Sequence, residues 1–291
     1  MKRFFILASA AIVALASCAK TQVVYNDAPE EIALKTVNMP MTKAATAYTQ
    51  DLGVAAYTLD GNEYFPVTQF TLNDGVWTGG QYWPISTKLA FVAYGPYTDA
   101  ATSVQVNTTG ITATGVKSDV DFVYSGYVDN SGAGFGKGSN VPMTLYHTKA
   151  KIVVNVNVVG GNETVTKIEL LGAPDGGNCT VTFPNTVNWT DEGTKTFEFA
   201  AVAPNNVHYV VPGTPTTLKI TYNSAVPAQT GLETEVDLST KTMYNEEGDE
   251  VAGGWQAGYS YTYNVTIESA LITIEATEET WIELSDVDPN E

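Results

Sequence analysis

The chain has 291 residues and a formal net charge of −18, with 14 Lys+Arg against 32 Asp+Glu. So acidic a surface repels phosphate backbones and excludes nucleic acid as a partner. Sixteen Tyr, 10 Phe and 5 Trp carry too much apolar area for a disordered chain, and 2 Cys exclude a disulfide framework. One core stops growing near this length, so two domains of roughly 100–150 residues are expected.

Lys2 and Arg3 precede an apolar run from Phe4 to Leu15 that is too short to span a membrane. The run ends in Leu15-Ala16-Ser17-Cys18, a lipobox: small residues suit a signal peptidase, and the Cys18 thiol is the acceptor for a diacylglycerol. Residues 1–17 therefore read as a lipoprotein signal peptide, and 19–30 as a tether.

Beyond the tether, period-2 alternation dominates and no long helical pattern competes. A short alternating segment holds Ile32 and Leu34; Asp51–Tyr57 and Tyr64–Leu72 follow as strands. Leu89–Tyr94 is a continuous apolar run of strand length, the mark of a central strand. The pattern is weakest over 95–125, where short helical turns are expected. Residues 125–142 are Gly-rich, and soon after them Ile152, Val154, Val156 and Val158 alternate with Asn155 and Asn157. A domain boundary is expected between, near residue 147.

In the second half Val165–Leu171, Thr180–Phe183, Thr196–Phe199, Val207–Val211 and Leu218–Tyr222 read as strands. The clearest half-buried strand is Tyr259–Ile267, where Tyr259, Tyr261, Tyr263, Val265 and Ile267 alternate with polar residues. Leu271–Ala276 and Thr280–Leu284 are further candidates. Asp60-Gly61, Asn73-Asp74-Gly75, Asp175-Gly176-Gly177 and Glu247-Gly248 are turn signals at a spacing that suits sandwiches. The fold class is all-β.

Groups that move protons or hold metals are sparse. His147 and His208 are far apart in sequence and read as structural histidines. Cys179, in an alternating strand without a neighbouring base, reads as a small buried apolar residue. Gly132–Ser139 lacks the spacing of a phosphate loop, since Ser131 and Gly138 stand where Gly and Ser or Thr are needed. Asn245–Glu250 lacks the order of a calcium loop and reads as a hairpin tip. The chain is expected to have no catalytic residues, no metal site and no cofactor.

Several segments, taken in order, resemble the fimbrillin family of lipoprotein pilins, the subunits of type V pili in the Bacteroidetes. They are the lipobox at Cys18, Thr42-Lys43-Ala44 after the first strand, and Asp51-Leu52-Gly53-Val54-Ala55-Ala56-Tyr57. Gly75-Val76-Trp77 and Tyr82-Trp83-Pro84 follow, leading into Leu89–Pro96, then Asp121-Phe122-Val123-Tyr124. Tyr146–Ile152, Gln256–Tyr261 and Trp281 complete the series. The resemblance implies two tandem transthyretin-like β-sandwich domains, 44–146 and 147–291, after a tether and removable strand at 18–43. It also implies an outer-membrane lipoprotein exposed at the cell surface and built into a fimbrium. Other pilin subunits, joined head to tail, are the implied partners, with host or bacterial surface molecules as further adhesion ligands.

Protease-triggered β-strand addition is the implied mode of polymerisation: removing the first strand opens a groove for a donor. Cleavage is expected at Lys43 and Ala44. Arg3 is the single Arg, so an Arg-specific protease has no site in the mature chain, and either cleavage at Lys or no cleavage remains open. Ile272 and Ile274, with Trp281 and Ile282, are the expected donor residues; the competing reading makes both segments ordinary strands of the second sandwich. An alternative function is a monomeric outer-membrane glycan-binding lipoprotein, in which exposed aromatics stack on sugars.

Overall fold

A computed structural model describes residues 28–36, 48–132, 134–190, 193–201, 207–245, 247–251, 253–268 and 271–280. In the first half the strands are β1 (Glu31–Thr36), β2 (Leu52–Thr58), β3 (Glu63–Asn73), β4 (Val76–Tyr82), β5 (Leu89–Gly95) and β6 (Ser103–Asn107). After them come β7 (Gly110–Val116), β8 (Val123–Ser125), β9 (Val128–Asp129), β10 (Val141–Met143) and β11 (Leu145–His147). The second half opens with β12 (Ala150–Val159), β13 (Glu163–Pro174), β14 (Gly177–Thr182), β15 (Thr186–Thr190), β16 (Thr194–Phe199) and β17 (Val207–Val210). It continues with β18 (Thr217–Ala225), β19 (Ala228–Asp237), β20 (Met243–Tyr244), β21 (Glu250–Val251), β22 (Tyr259–Glu268) and β23 (Leu271–Thr280). Among the described residues the one helical element is a 3₁₀ turn at Leu238–Thr240. The fold is all-β, as its alternation predicts.

Nine first-half strands form one sheet in the order β10-β1-β4-β3-β2-β5-β8-β11, with β9 added to β5. Its centre is buried on both sides. Leu52, Val54, Ala56, Leu89, Phe91 and Ala93 point into one apolar cluster with Trp77 and Phe70. Ala55, Tyr57, Val92 and Tyr94 point into another, against a four-stranded sheet. Two-sided burial is why β5 is an unbroken apolar run. Asp74 (φ 49°) and Gly75 (φ 76°) supply the two left-handed residues of a tight β3–β4 hairpin.

The helical turns expected over 95–125 are absent. That stretch forms the β6–β7 hairpin, with Asn107 Oδ1 accepting from the Thr109 and Gly110 amides at its turn. Only Val104 and Val106 of β6 are half-buried, flanked by exposed Ser103, Gln105 and Asn107, so its period-2 signal is faint.

The second half stacks the sheet β17-β12-β22-β23-β20-β21 on the sheet β16-β13-β18-β19. Ile152, Val154, Ile168, Leu170, Phe197, Tyr261 and Tyr263 fill the space between. β12 runs parallel to β22 over nine paired positions, from Lys151↔Ser260 to Val159↔Glu268.

Strand pairing crosses the boundary expected between residues 146 and 147. β14 and β15 leave the second half and join β6 and β7 of the first, completing a four-stranded sheet in the order β15-β14-β7-β6. Gly177 pairs with Val116 and Thr182 with Gly110. Cys179 and Val181 are buried there beside Ile111, Ala113 and Tyr124. The crossing is tight: a Cβ on Gly176 would lie 2.4 Å from the Val116 carbonyl oxygen, so only glycine fits.

Candidate assembly site

β1 is a short strand inserted between two partners. It runs antiparallel to β4, with Ala33↔Thr78 and Leu34↔Trp77, and parallel to β10, with Leu34↔Val141 and Thr36↔Met143. Ile32 and Leu34 are fully buried and pack with Trp77, Val141 and Met143. β1 thus fills a slot with an apolar floor and two hydrogen-bonding walls.

The start of the strand is held differently. β4 bulges between the partners of Glu31 and Ala33, where Gly79 and Gly80 lie. The Gly80 amide donates to Glu31 Oε1 at 2.8 Å. The Gly138 amide donates to Glu30 Oε1 at 2.5 Å, and the Trp83 amide to the Glu30 carbonyl at 2.9 Å. The Gly-rich stretch that fails as a phosphate loop thus binds an anion of its own chain, a carboxylate. No residue motif announces this, because the donors are main-chain groups.

Of the expected site residues, Cys18, Lys43, Ala44, Trp281 and Ile282 lie outside the described residues. Ile272 and Ile274 are on β23, which pairs antiparallel with β22 from Glu268↔Leu271 to Tyr259↔Thr280. Both are half-buried against the second-half core. The opposite edge of β23 meets β20 only at Ala276 and Thr277, so among the described residues Leu271–Glu275 has no strand on that side. Leu271 is 65% exposed.

The titratable groups cluster where the two halves meet. His147 Nδ1 lies 2.8 Å from Asp121 Oδ1, and His208 Nδ1 lies 2.7 Å from Asp119 Oδ2. Asp119 Oδ1 also accepts from the Tyr209 amide, tying β17 to a first-half loop. Burial disfavours a charged His208, but the Asp119 carboxylate and the Glu198 carbonyl outweigh it and raise its pKa. Lys149 is fully buried, donates to the Lys117 carbonyl at 2.9 Å, and is pushed down to about 8 by burial, against the pull of Asp119, Asp175 and Asp121. Burial pushes the Cys179 thiol up to about 12, so it stays protonated and unreactive. The acidic stretch that fails as a calcium loop is the β20–β21 turn, where Asn245 Oδ1 accepts from the Glu247 and Asp249 amides. Among the described residues no group of three or more His, Cys, Asp and Glu could hold a metal, and no helix is long and apolar enough to cross a membrane.

A family model described as fimbrillin-like matches residues 38–281. None of the curated proteins matches the chain. Among solved structures, a "putative cell adhesion protein" from Bacteroides uniformis is similar at 16% identity and a TM-score of 0.59, over 86% of this chain and 99% of that one. A fimbrial protein from Bacteroides vulgatus is similar at 16% identity and a TM-score of 0.54, over 86% of this chain and 99% of the other. A "putative cell adhesion protein" from Bacteroides ovatus has the same identity and TM-score, over 88% and 99%. At such identities these likenesses speak for the fold.

Proposed function

The chain belongs to the fimbrillin-like family of fimbrial structural proteins, and on that premise we propose that it is a pilus subunit polymerised by strand exchange at the β1 slot. Its role is structural or adhesive at the cell surface, not enzymatic. In this reading Cys18 carries the lipid that brings the subunit to the outer membrane. A protease then cuts between Lys43 and Ala44, and β1 leaves with the tether. The vacated slot takes a strand from a second copy, so contacts run head to tail and build a filament. Residues 44–146 and 147–291 act as two sandwiches that share the crossing hairpin.

The observation that carries this reading is the placement of β1. Two strands, β4 and β10, bracket it, and it buries Ile32 and Leu34 completely. Its loss would bare the apolar floor that these two side chains cover, a burial worth about 1.5–3 kcal/mol for each, together with two unpaired strand edges. A donor strand restores both.

For the donor, the pairing of β23 with β22 favours an ordinary structural role for Ile272 and Ile274. The donor role then falls to Trp281 and Ile282. Both lie just past the end of β23, the strand whose pairing sets Ile272 and Ile274 aside. The test is N-terminal sequencing of subunits from oligomer ladders run in mild detergent without boiling. Ladders whose subunits begin at Ala44 are expected. A protein that stays monomeric after cleavage would instead fit the monomeric glycan-binding alternative.

A further inference from the structure

We propose that the end of the first-half sheet where β1 begins is a membrane-contacting patch, in which Ile85, Tyr82, Tyr64 and Leu59 rest on the lipid surface that holds Cys18. The proposal rests on the reading of Cys18 as the lipid-bearing residue, and it adds which face of the subunit lies against that membrane.

Two connections and one strand start meet at this end. β2 leads into β3 through residues 59–62, and β4 into β5 through residues 83–88. Thr58 pairs with Leu89, and Glu31 with Tyr82, so both connections and the start of β1 lie side by side. The Tyr64 hydroxyl donates to the Tyr82 carbonyl at 3.0 Å. The Trp83 amide donates to the Glu30 carbonyl at 2.9 Å, which pins the entry of β1 to the loop that carries Ile85.

Apolar exposure collects here. Eight large apolar side chains stand exposed among the described residues, and four of them are at this end: Leu59 (41%), Tyr64 (39%), Tyr82 (47%) and Ile85 (94%). Two residues before Ile85, the buried Trp83 ring packs edge-on against Phe91 at 5.6 Å, so the loop is anchored while its tip stands in water. A fully exposed isoleucine gains by burial, and tyrosine rings suit the boundary between headgroup and acyl chain. Grouped apolar exposure rimmed by polar residues marks a surface that meets a protein or a membrane.

The course of the chain favours the membrane. Nine residues, 19–27, separate Cys18 from Ala28, a span of at most about 35 Å. An acyl group on Cys18 therefore holds this end of the sheet within that distance of the bilayer. The second half joins at the opposite end, where β5 finishes at Gly95, paired with Val123, and Lys149 reaches the Lys117 carbonyl. Charge narrows the kind of lipid. Glu30, Glu31, Asp60 and Glu63 border the patch, and Lys88, the one cation of the two connections, already donates to the Ser131 carbonyl. The contact is thus apolar, suits zwitterionic headgroups, and is weakened by anionic ones. Because the lipid already tethers the chain, the patch acts at a high effective concentration and needs little affinity of its own; what it adds is orientation.

The experiment uses the full chain, purified as the lipoprotein and reconstituted into phosphatidylcholine vesicles, with a nitroxide attached at Ser86→Cys. Cys179 is buried and its thiol is pushed up to about 12, and Cys18 is acylated, so the label goes to position 86 alone. Accessibility of the label to oxygen, which concentrates in lipid, is compared with accessibility to a water-soluble nickel complex. A lipid-exposed label is expected at 86, and a water-exposed one at Val226→Cys in the second half, a position 72% exposed. Adding Ile85→Asp should weaken the contact about tenfold, whereas Ile85→Leu should preserve it. Neither disturbs the fold, since the side chain is 94% exposed. A label at 86 that stays in water while labelled palmitate is present on Cys18 overturns the patch and spares the anchor. A label at 86 that is immobilised out of reach of lipid, and only as protein concentration rises, assigns the patch to a second copy and overturns the membrane contact. Absence of palmitate from Cys18 overturns the anchor, and the patch proposal with it.

Discussion

β1 and β23 stand near opposite ends of the described chain and are held in opposite ways. β1 has six residues, two partners remote in sequence, and two fully buried side chains. β23 has ten residues, one full-length partner next to it in sequence, and Ile272 and Ile274 only half-buried. Depth of burial and security of attachment are thus separate quantities. β23 is shallow, but peeling it off means breaking a ten-position ladder. β1 is deep, yet a bulge interrupts its pairing to β4, and three positions pair it to β10. The strand-exchange proposal needs a strand of the first kind, deeply buried but held by few paired positions.

Substitutions can break this comparison. The largest effect should come from Leu34→Asp, which puts a carboxylate at a fully buried position. We expect the strand to detach while the rest stays folded. Hydrogen exchange should become fast at 31–36, 77–78 and 141–143 but not in β12 or β22. Uniform loss of protection would mean that β1 is integral to the fold. Next, Leu34→Ala should cost about 2–4 kcal/mol in denaturant titrations, within the range for truncating a buried leucine. Ile274→Ala, half-buried at a strand with one full partner, should cost about 1 kcal/mol. Equal costs for the two truncations would erase the distinction.

The smallest effect lies at the junction of the halves. Asp119 raises the pKa of His208 above its ordinary value of 6.5. The stability from this pair is therefore complete below about pH 6.5 and lost as pH rises through the raised folded value. Thermal midpoints between pH 6 and pH 9 should fall slightly more in the wild type than in His208→Gln. Parallel profiles would show that the pair contributes nothing.

Legibility followed burial. β22 could be read because Tyr261, Tyr263, Val265 and Ile267 are buried on one face while polar side chains alternate on the other. β5 could be read because both its faces are covered. β19 gave no signal: Ala228–Asp237 has no fully buried residue, and it is a strand because β18 pairs with it. β6 was hidden for the same reason. The apolar part of the slot was visible in Ile32 and Leu34, whereas its mouth was invisible, since the Gly80 and Gly138 amides depend on backbone angles and not on side chains. The departure of β14 and β15 from the second half left no trace in composition, because Cys179 and Val181 alternate as they would in either sandwich.

That crossing hairpin changes how the molecule would carry tension. If the proposed filament forms, a pull along it would reach the subunit through the slot in its first half. Two beads on a string would let one bead unravel while the other held. Here the β7 edge of the first half is stitched to β14, whose chain returns through β15 into β16 of the second half. Stretching the halves apart must therefore break the β7–β14 ladder. Neither half can be drawn away from the other while the sheet they share stays whole.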